Sequence, residues 1–127
     1  MRLDGVVTSQ QRIKLTEKAF QRLLLEAIDG ALSSLGDSAK QSIYYHLQNK
    51  CEITRDEIPC RLEDFEEGLE KIFGEGTRFL EILIMKQLYE KVGSEANVMK
   101  WDESREFKFI DYVKVAEQNF RKKTKRN

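Results

Sequence analysis

The chain holds one histidine and two cysteines, and these three soft ligands fall close together as His46-x4-Cys51-x8-Cys60. Structural zinc takes about four ligands, usually as close pairs roughly two to four residues apart. Neither spacing fits, so no metal is expected. A Cys-His nucleophile also needs a third group to orient the base, and no such partner for His46 is identifiable. Cys51 and Cys60 are read as small apolar fillers at the ends of a connector.

Glu63, Glu66, Glu67 and Glu70 recur at steps of three and four and so form one carboxylate stripe on a helix. Paired carboxylates bind metals or act as acid and base when a pocket perturbs them. These four lie opposite a clean apolar face, which predicts a solvated stripe. No Glu-x-x-His pair accompanies them, so the di-iron bundle pattern is absent. Gly74-Glu75-Gly76-Thr77 lacks the lysine and glycine spacing of a phosphate loop, and is read as a helix break. No Gly-x-Ser-x-Gly elbow occurs. With no nucleophile, base and stabiliser in a recognisable constellation, neither catalysis nor a cofactor is expected.

The elements that carry these residues are helical. Between Leu15 and Gly93 four amphipathic helices follow one another. The first, about Thr16 to Leu35, puts Phe20, Leu24, Ala27, Ile28, Ala31, Leu32 and Leu35 on one face, with Thr16 as cap and Gly36 as terminator. The second, to about Lys50, faces inward with Ala39, Ile43 and Leu47. In the connector, Thr54 to Glu57 has the capping-box pattern, and Pro59 should stop the turn it opens. The third helix, about Leu62 to Phe73, carries Phe65, Leu69, Ile72 and Phe73 opposite its glutamates. The fourth, Arg78 to Val92 with Thr77 as cap, is apolar nearly all round and is expected to be packed on every side. A last helix, about 109–123, presents Phe109, Tyr112, Val113, Ala116 and Phe120.

The expected architecture is all-α: one domain over 1–127, a compact bundle of about five helices around a central apolar helix. The core spans 15–93, a short arm runs to Gln11, and the basic tail 124–127 is expected to be disordered. A chain of 127 residues can bury such a core without disulfides or metals. Lysines and arginines number 22, as do aspartates and glutamates, so there is no bulk pull on nucleic acid or membrane. The charges are uneven, with nine acids against three bases over residues 52–75, and five bases from Arg121 to Asn127. No apolar run reaches the roughly 20 residues of a membrane span. The first residues lack the apolar block of a signal peptide, and with two cysteines this points to free thiols in a reducing cytoplasm.

Tyr44 and Tyr45 are consecutive, so both cannot enter the same core, and one should lie on the surface or in a groove. Trp101, Phe107 and Ile110 are the other candidate contact residues. Ile110 either widens the buried stripe of the last helix or marks a surface that a weak homodimer through residues 101–120 covers.

Ala31-Leu-Ser-Ser-Leu-Gly36, Ser42-Ile-Tyr-Tyr-His-Leu47, Glu57-Ile-Pro59, Phe65-x3-Leu69-x2-Ile72-Phe73-Gly74 and Leu88-Tyr89 resemble a small archaeal helical domain of output type. That domain is of the kind found in ammonia-oxidising archaea, alone or joined to signalling modules. The resemblance covers roughly residues 15–93 and implies a regulatory or interaction domain that binds another protein, and it brings no catalytic residue. The alternative is a DNA-binding domain, with Leu35-Gly36-Asp37 as a helix-turn-helix corner and Lys40, Gln41, Gln48, Asn49 and Lys50 on the polar positions. The acidic connector opposes that alternative, because it would repel a phosphate backbone.

Overall fold

Phe20, Leu24, Ala27, Ile28, Ala31 and Leu32 all lie buried along one side of the first helix, α1 (Ser9–Ser33), as their spacing requires. The computed structural model describes residues 9–93 and 108–125. Within them the chain is all-helical, with five helices, and no strand occurs among the described residues. None of the described helices is long and apolar enough to cross a membrane.

α1 begins earlier than the threonine signal suggested. Thr16 sits inside the helix, and the expected arm gives way to helix at Ser9, while residues 1–8 lie outside the described residues. Tertiary contact overrides the local cap here. The Phe20 ring packs on Phe120 at 5.9 Å, and Arg121 reaches Glu17 at 3.3 Å. At the other end α1 stops at Ser33. Gly36, at φ 105°, makes the break before α2 (Asp37–Cys51), where its amide donates to the Ser33 carbonyl at 2.9 Å. Leu35 therefore falls past the helix and is 41% exposed, not part of the core face.

α2 buries only Ile43 and Leu47, and Ala39 is half-buried. It ends in an unusual way: Glu52 takes a left-handed conformation, φ 53°, that usually falls to glycine. Arg61 holds it there by donating from Nη1 to the Glu52 carbonyl at 2.7 Å. The tight turn Arg55–Cys60 follows. Its start matches the sequence reading, since the Thr54 amide and hydroxyl both donate to the Glu57 carboxylate, at 3.0 and 2.8 Å. Pro59 does not stop it. The turn is of the 3-10 kind, for which the ring's fixed φ is suitable, and it runs on to Cys60 with Ile58 fully buried.

α3 (Leu62–Phe73) buries Phe65, Gly68 and Leu69. Gly68 permits close approach of α2: a Cβ there would meet Leu47 Cδ2 at 2.5 Å and Cys51 Sγ at 3.1 Å. A short turn, Gly74–Gly76, leads into α4 (Thr77–Val92).

α4 lies antiparallel to α1, since Glu26 pairs with Lys91 and Gly30 faces Gln87. It also packs on α5 (Phe109–Lys125) and on α3, so it is central as expected, although α1 shares that place. It is not covered on every side, because Phe79 is 65% exposed. Phe109, Val113 and Ala116 bury α5, and Phe109 packs on Phe65 at 6.4 Å. Lys123 donates to the Val92 carbonyl at 3.2 Å and also to that of Gly93, tying the end of α5 to the end of α4. α5 continues as helix to Lys125, past the expected break at Lys123, and the rest of the tail lies outside the described residues.

Candidate functional site

The histidine and cysteines that opened the sequence reading do not form a site. His46 is exposed on α2, while Cys51 is half-buried beside Gly68. Cys60 is exposed and accepts a hydrogen bond from Gln21 at 3.7 Å, and both thiols are free. Among the described residues no three histidine, cysteine or acidic side chains are grouped to hold a metal ion.

The carboxylate stripe is only partly solvated. Glu63, Glu67 and Glu70 are exposed, but Glu66 is half-buried and turns toward α4. The reason lies in the connection. Gly74–Gly76 folds α4 back beside α3, which brings Glu66 and Glu70 up to Glu81. The result is an open groove of about 510 Å³ lined by Glu66, Glu70, Gly74, Glu75, Thr77, Arg78 and Glu81. His46 takes no part in it.

Glu81 is 6% exposed, and its Oε2 has no hydrogen-bond partner. Burial, then the hydrogen bond with Glu66, then the charges of Glu66 and Glu70 push its carboxyl up to about 9, with Arg78 opposing. At neutral pH it carries a proton. Thr77 is 4% exposed and its Oγ1 also lacks a partner. It was expected to cap α4. Instead Gly76 occupies the capping position, and Thr77 is the first helical residue with its side chain turned inward. Two orphaned oxygens thus sit one helical turn apart on the wall of an acidic groove.

Sequence reasoning missed Glu81, although a signal was available. Thr77, Glu81, Ile84 and Leu88 recur at helical steps and are all buried, so a glutamate on that stripe is a charge placed on a core face.

The expected contact residues divide. Tyr44 is half-buried, and its hydroxyl donates to Asp29 at 2.5 Å. Burial and that bond raise the phenol above its ordinary range. Tyr45 is 72% exposed. Ile110 is half-buried against the core, the first of its two alternatives. Trp101 and Phe107 lie outside the described residues.

With this geometry established, the chain was compared with protein families, curated proteins and solved structures. None matches.

Proposed function

We propose that this protein is a non-catalytic interaction domain with a regulatory role, which works by recognising another protein. The observation that carries this reading is Phe79. It is an aromatic on the central helix, 65% exposed, about half a helical turn round from Thr77 and Glu81 and so on the side of α4 away from the groove. A large apolar ring standing in water on a helix otherwise packed into the core suits protein recognition, because it supplies contact area at little ordering cost. Tyr45 offers a second exposed aromatic. The groove holds carboxyls, Arg78 and the Thr77 hydroxyl, but that hydroxyl has no hydrogen bond to a carboxyl that would activate it, which supports binding over turnover. The resemblance to an archaeal output domain supports the same class. A weak homodimer through residues 101–120 belongs to the proposal, with Val115 an exposed apolar residue of that stretch.

Panning a random peptide display library against the immobilised protein tests the reading. The expected result is a family of binders whose affinity falls on Phe79→Ser while the circular dichroism is unchanged. Failure to enrich any binder, or substrate turnover in an unbiased metabolite screen, overturns it.

A further inference from the structure

Four carboxyl groups, Glu66, Glu70, Glu75 and Glu81, line the groove against one cation, Arg78. An acidic lining by itself is an ordinary surface feature. What separates this one is the pair of oxygens below it. Thr77 Oγ1 and Glu81 Oε2 are buried, lack hydrogen-bond partners, and belong to residues that line the groove. A buried polar atom without a partner is expensive, so such a pair marks a place where a ligand's donors belong.

The chemistry narrows the ligand. An anion would meet four carboxyls. A metal ion would need a tighter set of ligands than the described residues provide. An organic cation with several hydrogens to donate satisfies both the charge and the orphaned oxygens. Guanidinium suits better than ammonium, because it carries five donors in a plane and is more weakly hydrated, hence easier to bring against the two buried oxygens. The groove's volume exceeds what one such head requires and falls within the range of clefts that hold small ligands.

We propose that the groove between α3 and α4 binds an arginine side chain from a basic segment of a partner protein, with the guanidinium seated among Glu66, Glu70 and Glu81. This deepens the reading of the protein as an interaction domain and rests on it.

Binding then has a signature that a passive acidic patch lacks. Glu81 holds a proton when the groove is empty, and the charges acting on it come from Glu66 and Glu70 on α3 and Arg78 on its own helix. A guanidinium beside it favours the ionised carboxyl, so the proton leaves for the buffer as the arginine enters. Affinity therefore rises with pH through the neutral range, by up to about tenfold per pH unit when one proton is released.

Isothermal titration of an amidated hexa-arginine peptide tests this, in buffers of different ionisation enthalpy and from about pH 6 to about pH 9. The expected results are proton release and affinity that increases with pH. Glu81→Gln, which keeps the shape and removes the charge, is expected to weaken binding about tenfold or more and abolish the release. Thr77→Val keeps shape with no change of charge, and is expected to weaken binding several-fold without altering proton release. Circular dichroism melts establish that both variants fold. Equal affinity of wild type and Glu81→Gln overturns the proposal, as does binding without proton release. Spermine bound as tightly as hexa-arginine shows a general acidic surface and also overturns it. If display-selected peptides lacking arginine bind through Phe79 while hexa-arginine does not, the arginine site falls and the interaction domain stands. If no peptide binds, both fall.

Discussion

Asp29 on α1 and Arg55 in the turn after α2 meet in a two-pronged ion pair, Nε to Oδ1 at 3.0 Å and Nη2 to Oδ2 at 2.5 Å. The Tyr44 hydroxyl donates to the same Oδ1, so one carboxylate fastens α1, α2 and the turn together. The side chains are 25% and 40% exposed, so solvent screens part of the attraction. Burial alone would raise the Asp29 carboxyl. The bonds from Arg55 and Tyr44 more than reverse this and hold it below its ordinary range.

Removing the pair should loosen that junction. Arg55→Met is expected to lower stability by about 1–2 kcal/mol and Tyr44→Phe by about 1 kcal/mol. A depressed carboxylate contributes stability above its unfolded range and loses it as pH falls through the lowered folded value. Urea unfolding at neutral pH and in acid should therefore show the wild-type advantage over Arg55→Met shrinking in acid.

Glu81 gives the opposite slope. Its folded value, about 9, lies above the ordinary 4.5, so the folded state keeps a proton that the unfolded state has lost. Its contribution is full below the unfolded value and declines as pH rises toward the folded one, at about 1.4 kcal/mol per pH unit for one proton. Glu81→Gln should flatten the pH dependence of urea unfolding across that interval and be the more stable protein at alkaline pH. Parallel curves for the two proteins would show that Glu81 ionises normally.

Gly68→Ala places a methyl group against Leu47 at the contact between α3 and α2. The expected loss is about 1–3 kcal/mol, since a closely packed contact has to open. Combining it with Leu47→Ala should lose less than the sum of the two single changes, because the second makes room for the first. Strict additivity in a double-mutant cycle would mean that the strain is relieved elsewhere.

Phe79 and Met85 lie on the same helix and should behave in opposite ways. Met85 is fully buried, and Met85→Ala is expected to lose about 2–5 kcal/mol. Phe79→Ser should leave the thermal midpoint within about a degree or two, because the ring is mostly in water already. Its effect should appear in partner binding alone.

Where side chains repeat at helical steps, the sequence was legible almost residue by residue. α3 begins and ends where Phe65, Leu69, Ile72 and Phe73 placed it, and the glycine breaks at Gly36 and Gly74–Gly76 hold. Boundaries set by distant contacts were not legible: α1 starts seven residues before Thr16 because α5 lies against its first half. The groove was hidden for a related reason. Glu66 reads as solvated from its own helix, and only the return of α4 places Glu81 against it. Tyr44 showed that two adjacent tyrosines must part, but Asp29 and Arg55, from other segments, decide where its hydroxyl goes.

Arg121 reaches back to Glu17 across a separation of 104 residues, and Phe120 covers Phe20. α1 through α4 precede α5 in the chain, so the contacts among them, the pairing of α1 with α4 included, can form before α5 is made. The leading half of α1 has to wait, since its cover is α5. Those first turns stay open to chaperones and proteases until α5 has emerged. Stalled nascent chains lacking α5 should be nicked there, and chains that carry it should not.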